Sequence, residues 1–579
     1  MAINPAAVGT SAYELLDGSV SSFYAEVDEA IAASEVVKGQ YRMTINPAYN
    51  SPNPVDSNSF TTVGLTQSGP MVVDLENSYI TTDVELTITP NQDMYCPEAE
   101  HEYYVFFGWK RSIEAVERYD ILVNSTPIYT QSFCGEESFI MGQVENDMVR
   151  KKSPFITSTY QNILNFEPGC CGTYVKFTER GEIKADTPMY TSSSGFKLLI
   201  PIKIPVANFP ILKNMKYLLS WMGKWEIRLY FSPQNMIVVP IDPWHASAVK
   251  NGFNFISHLD KIKTIDGFYT SAYGIHQIGQ NIPMYCKQSE HTGTTKIPTV
   301  DKVTHGDATL AHDFKFLVQK MTMRDVSMNT AQFQIRMDVL EMLKQKYMME
   351  KPLTFPVSTF QIARFTGPPC TSGPYKTVAD NPLSIVLCQA INNCDTMFIL
   401  PFNEACQHTV CRNPEVKALQ LHAGEYGSYP TQPFDTLWQY GNVNIRFVNA
   451  AMDALNVNGS ELTSFNEDVI TSFVPSPMIV NAGGSAEPDG HLMNIIQTAL
   501  RDQSNFFIPF PFSTDDDFQG GMSSPSSNIN FKLTGTWATS DLVMETPWVA
   551  VFLIDGVVMI RPDPGSDAAK VIWSDRTVC

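Results

Sequence analysis

The sequence predicts a mainly β protein, with two β-sandwiches in tandem, short helical insertions and an N-terminal helical arm. Three observations lead there. From residue 41 onward, short runs rich in β-branched and aromatic residues are separated by Pro, Gly, Asn and Ser. That texture belongs to sandwiches rather than to βαβ units. The 579-residue length accommodates two large all-β domains, which run to about 200–250 residues each. Finally, a pattern in the first half returns in the second. Phe196-Lys197-Leu198-Leu199-Ile200-Pro201-Ile202 precedes Trp225-Glu226-Ile227-Arg228-Leu229-Tyr230-Phe231, and Phe506-Phe507-Ile508-Pro509-Phe510 precedes Asn528-Ile529-Asn530-Phe531-Lys532-Leu533. In both, an apolar strand with a central proline leads to an alternating strand, as tandem copies of one unit would leave it.

The β runs are explicit in places. Tyr79 to Ile88 alternates, Tyr103 to Phe107 is aromatic, and Tyr119 to Val123 is apolar and followed by the turn residues Asn124 and Pro127. Two segments break the pattern. After Pro210, a stripe of Ile211, Leu212, Met215, Leu218, Leu219 and Met222 has helical spacing. From about Thr330 to Met349, Phe333, Met337, Leu340, Leu343 and Tyr347 recur three or four apart, with Asn329-Thr330 as a start signal and Pro352 as a stop. Residues 286–312 are polar and aperiodic, and are read as a loop between halves. The resulting division is an arm at 1–50, a first sandwich at 51–300 including the linker loop, a second at 301–565, and a tail at 566–579.

The arm is acidic, with Glu14, Asp17, Glu26, Asp28, Glu29 and Glu35 against Lys38. Ser11 and Glu14 have the spacing of a capping box. Leu16, Val20, Phe23, Val27 and Ile31 then recur at helical spacing. This stripe fits against the protein's own body or against a neighbouring subunit. The five residues are assigned here to an inter-subunit contact.

Composition excludes several functions. A net charge of −20 opposes direct binding of nucleic acid phosphates, and the basic run Arg150-Lys151-Lys152 is short enough to be a solvated loop. The start of the chain lacks a basic region followed by an apolar one, so no signal peptide is expected. The apolar run Trp548 to Ile554 is broken by Asp555, far short of the roughly 20 residues of a membrane span. The eleven cysteines are odd in number and dispersed, which favours reduced thiols over a disulfide framework. The sequons at Asn124 and Asn458 carry no weight without secretion.

No phosphate-binding glycine loop, HExxH zinc motif or GxSxG elbow occurs. Catalytic residues: none. Cofactors: none. The most metal-like set is Cys388, Cys394, Cys406, His408 and Cys411. Its spacing matches no common zinc module, so buried thiols are the reading and no metal is assigned. Cys170-Cys171 is likewise read as two thiols, and Asp515-Asp516-Asp517 as a solvated loop. Trp109, Trp438 and Trp548 would be the stacking platforms of an alternative, carbohydrate-binding or carbohydrate-active sandwich.

Scattered segments resemble a known family. Leu198 to Phe231 resembles the first jelly roll of the double jelly-roll major capsid proteins. Ser384-Ile385-Val386-Leu387, Ala390-Ile391-Asn392-Asn393, Met397-Phe398-Ile399-Leu400, Asn413-Pro414 and Leu419-Gln420-Leu421, followed by Gly424 and Tyr429-Pro430, resemble the second jelly roll of virophage, polinton and polinton-like virus capsids. The segment 330–349 with Lys351-Pro352-Leu353 resembles the opening of that domain. The resemblance implies two tandem jelly-roll sandwiches and no catalysis. It further implies a homotrimer forming a pseudo-hexameric capsomer of an icosahedral DNA virus shell. The partners would be neighbouring capsomers, penton and minor capsid proteins, with the chain made in the host cytosol and located in the virion.

Overall fold

The computed structural model describes residues 12–33, 41–45, 55–56, 60–65, 69–90, 104–107, 112–132, 166–169, 172–176, 193–213, 215–231, 238–241, 281–283, 302–305, 308–311, 315–350, 353–365, 382–401, 416–424, 427–436, 438–439, 442–443, 445–454, 507–512, 522–523, 529–537, 548–562 and 569–574. It opens with helix α1 (Ala12–Ala32). Eight strands build a first sandwich: β1 (Tyr41–Ile45), β2 (Phe60–Gly64), β3 (Met71–Pro90), β4 (Val116–Val123), β5 (Thr126–Ser132), β6 (Phe196–Pro205), β7 (Trp225–Phe231) and β8 (Lys315–Gln334). After helix α2 (Met337–Lys344) and a wider turn at Gln345–Glu350, eight more build the second. These are β9 (Leu353–Phe365), β10 (Pro382–Gln389), β11 (Cys394–Leu400), β12 (Val416–Ala423), β13 (Ser428–Phe434), β14 (Ile508–Pro511), β15 (Ile529–Trp537) and β16 (Trp548–Pro562), with helix α3 (Ile445–Ala454) inserted before β14. A last strand, β17 (Ala569–Ser574), pairs with β16.

The two sandwiches are wired identically. In the first, one sheet runs β1-β8-β3-β6 and the other β2-β7-β4-β5. In the second they run β9-β16-β11-β14 and β10-β15-β12-β13. Adding eight to each strand number converts one into the other. All these pairings are antiparallel, so each unit is an eight-stranded jelly roll. The internal echo lands on equivalent strands, β6 and β7 in one copy and β14 and β15 in the other.

The alternation seen in the sequence has a direct structural cause. Along β3, Ile80, Val84 and Ile88 turn into the core, while Thr81, Asp83 and Thr87 take the other face, as a period of two requires. The β4–β5 hairpin closes on Asn124 (φ 50°) and Ser125 (φ 65°), two successive positive φ values whose twist suits a two-residue turn. Pro127 lies in β5 rather than in that turn. The connections β3–β4, β5–β6 and β7–β8 contribute Tyr104–Phe107, Phe166–Gly169 with Gly172–Lys176, and Val238–Ile241, which pair into a separate four-stranded sheet.

Both helical insertions differ from expectation. After Pro210 the backbone makes one turn, Pro210–Lys213, and then a strand, Tyr217–Leu219, that pairs with β3. The apolar stripe is buried throughout, and in a short apolar run burial cannot tell helix from strand. In the second case β8 continues through Gln334, so Thr330 and Phe333 are extended and the helix starts at Met337. Pairing with β1 and β3 on either side overrides the local spacing there. The sheet also reaches beyond the 51–300 window of the sequence reading: β1 and β8, at 41–45 and 315–334, are neighbours within the first sandwich. Residues 569–574 form a strand where a tail was expected.

Candidate functional site: the seam between the sandwiches

The two hydrophobic cores are joined by one continuous ribbon. β9 and β16 pair along the whole of β9, from Leu353↔Ile560 to Phe365↔Trp548. A strand of 13 residues spans about 40 Å at roughly 3.3 Å per residue. At one end Leu353, Phe355, Val357, Val558 and Ile560 belong to the core of the first sandwich. At the other, Phe360, Trp548, Val549, Val551, Phe552 and Ile554 belong to the core of the second. A parallel link comes from β17, whose Ala569 and Val571 lie in the first core. The Trp573 ring stands edge-on to Tyr129 of β5 at 5.9 Å, and Asn124 Nδ2 donates to Ala569 O at 3.2 Å.

Helix α1 straps the outside of this joint. Its residues three and four apart share a face, and Val20, Phe23 and Val27 of that face are buried. The Phe23 ring meets Tyr347 at 5.1 Å and Phe355 at 6.3 Å. Tyr24 packs on Tyr217 at 6.1 Å, and its hydroxyl accepts from Lys216 N at 3.1 Å. Charged groups flank the apolar face. The Tyr217 hydroxyl donates to Asp28 Oδ1 at 2.5 Å, and Lys216 Nζ lies 3.1 Å from Asp28 Oδ2. Tyr347 donates to Glu26 Oε1 at 2.8 Å, and Lys346 pairs with the same oxygen. Burial first, and then the bond to Asp28, push the Tyr217 phenol up to about 12. Burial and Glu26 likewise raise Tyr347.

Of the stripe assigned to an inter-subunit contact, Val20, Phe23 and Val27 are buried against the core of their own chain. Ile31, partly buried, packs on the same core. The Leu16 side chain lies outside the described residues.

Where the ribbon passes from one core to the other, a polar node interrupts it. Ser358 faces Asp555 across the ribbon, and its Oγ donates to Asp555 Oδ1 at 2.7 Å. Asp555 N donates to Asn393 O at 3.1 Å, and Asn393 Nδ2 donates back to Asp555 O at 3.3 Å. Asn393 has φ 45° and its own N–H donates to Ser523 Oγ at 2.8 Å. The β11–β16 register slips between Cys394 and Thr396, so Asp395 is the extra residue of a β-bulge. Burial pushes the Asp555 carboxyl up to about 6; the Ser358 bond opposes this and the Asp395 charge adds to it. Burial, reinforced by Asp395 and Asp555, raises the Cys394 thiol well above its usual range. In the sequence Asp555 stands out only as a break in an apolar run. That break, a lone carboxylate amid β-branched and aromatic residues, was the available signal for the node.

Cys394 is buried and Cys388 exposed, while Cys406, His408 and Cys411 lie outside the described residues. Among the described residues no group of three or more His, Cys, Asp or Glu could hold a metal ion. Trp548 is fully buried and so is not a stacking platform. Trp109, the Trp438 side chain, Arg150-Lys151-Lys152, Cys170-Cys171 and Asp515-Asp516-Asp517 also lie outside the described residues. No helix among the described residues is long and apolar enough to cross a membrane.

No protein-family profile matches the chain, and no curated protein does. Solved structures do. The mavirus major capsid protein is 10% identical, covering 93% of this chain and 91% of its own, with a TM-score of 0.45. The Sputnik virophage structure is 10% identical, covering 94% and 91%, with a TM-score of 0.44. The Faustovirus major capsid protein is 9% identical, covering 96% and 99%, with a TM-score of 0.39.

Proposed function

We propose that this chain is a structural shell subunit, a major capsid protein with no catalytic activity of its own. The carrying observation is the equivalence of the two sandwiches, strand for strand, in one chain whose cores share a single ribbon. Such a chain presents two like sandwiches linked through one ribbon. Three copies bring six like sandwiches together, which is the requirement for a pseudo-hexameric capsomer built by a homotrimer. Edge strands support lateral association. Phe60 on β2, Leu199 on β6 and Val386 on β10 are each more than half exposed and each sit on the edge of a sheet. Isolated edges of this kind invite pairing or packing with another chain.

In this reading capsomers associate with one another and with penton and minor capsid proteins in an icosahedral DNA virus shell. The chain is made in the host cytosol and resides in the virion. Because fold alone does not fix function, the reading stands on a test of assembly. Light scattering after size exclusion should give about three times the 64.7 kDa chain. An interface between obligate subunits buries well over about 2,000 Å², so a clean monomer at micromolar concentration would overturn the proposal.

A further inference from the structure

The node at Ser358 and Asp555 is chemically out of place. A ribbon meant only to weld two cores would carry an apolar residue there, because burying a carboxyl is costly unless it is neutral or paired. Among the described residues no lysine or arginine pairs with Asp555. Its facing neighbours are Ser358 on β9, neutral and donating at 2.7 Å, and Asn393, Cys394 and Asp395 around the start of β11. Of these Asp395 and Cys394 titrate, and both carry negative charge when ionised. Asp395 also sits in a bulge, where the ladder is already irregular. Past the node in either direction, both strands are anchored in separate cores.

We propose that Asp555, set against Asp395 at the crossing between the two cores, makes the joint between the sandwiches a proton-operated hinge. With Asp555 protonated, the ribbon runs closed through both cores. With Asp555 ionised beside Asp395, like charges meet in a partly buried site and the ribbon opens locally around Ser358 and Asp555. The carboxyl's position near 6 puts the changeover within reach of ordinary biological pH. The sign follows from linkage: the folded node holds its proton up to about pH 6, whereas the unfolded carboxyl releases it near 4, so closure is strongest in mild acid and weakens as pH rises. The inference rests on the joint alone and holds whatever the chain assembles into.

Hydrogen exchange of the full chain, read by mass spectrometry on segments 353–365 and 548–562 and corrected for intrinsic rates, tests it. Wild type should show the opening of these segments rise about tenfold between about pH 5 and about pH 8, the factor that linkage gives for these two carboxyl positions. Segments of β3 should not change. Asp555→Asn should abolish the pH response, and Asp395→Asn should move its midpoint downward and reduce its amplitude, because without the like charge Asp555 ionises more easily in the closed joint. A wild-type response absent from the ribbon, or an Asp555→Asn response equal to wild type, would overturn the proposal. Should Asp555→Asn fail to fold, Asp395→Asn decides: a pH profile identical to wild type overturns it.

Discussion

The ring of Phe23 stands edge-on to that of Phe355, with centroids 6.3 Å apart and planes at 80°. One residue belongs to the N-terminal helix and the other to the strand that opens the second sandwich. Phe23 is fully buried, so the pair clamps the helix onto the joint.

Phe23→Ala should therefore destabilise the folded chain by about 3–5 kcal/mol, the cost of emptying a well-packed aromatic site. Deleting residues 1–33 should cost more, since it also uncovers Tyr217, Tyr347 and Phe355. Urea unfolding measures both. Wild-type stability in the truncated chain would show that the helix is not part of the core.

Tyr217 provides a test in alkali. Its phenol is held up to about 12 by burial and by the bond to Asp28, whereas an unfolded tyrosine ionises near 10. Between these values the folded chain keeps a proton that the unfolded chain has lost. The stabilisation is thus complete below about pH 10 and drains away as pH rises towards 12. In urea titrations, the advantage of wild type over Tyr217→Phe should shrink between about pH 10 and about pH 12. An advantage that stays constant would remove the hydrogen bond from the account.

The charge balance of the chain bears on its affinity for nucleic acid. At a net charge of −20, the chain should leave naked DNA unshifted in gels at physiological salt. Tight binding that weakens steeply with salt would mean a basic surface overrides the total.

Much of the fold was legible because period-two alternation is a local signal. Tyr79 to Ile88 and Trp225 to Phe231 show it plainly, and both are strands. The echo between Phe196–Phe231 and Phe506–Leu533 was legible for the same reason, since equivalent strands in two copies face equivalent cores. What the sequence hid is set by long-range pairing. Thr330 to Phe333 has helical spacing, yet strands on both sides hold it extended. The stripe of Leu16, Val20, Phe23, Val27 and Ile31 shows a helix with an apolar face, but nothing local says whose surface covers it. Phe355 and Tyr347, more than 300 residues away, supply that answer for Phe23. Asp555 was visible only as an interruption, because its meaning depends on Ser358, Asn393 and Asp395 meeting it in space.

Electron microscopy of the purified full-length chain tests the assembly account most directly. Two equivalent sandwiches per chain, taken three at a time, should appear in class averages as threefold particles with six lobes and a near-hexagonal outline. Class averages of isolated two-lobed particles, with no higher assembly at micromolar concentration, would contradict it.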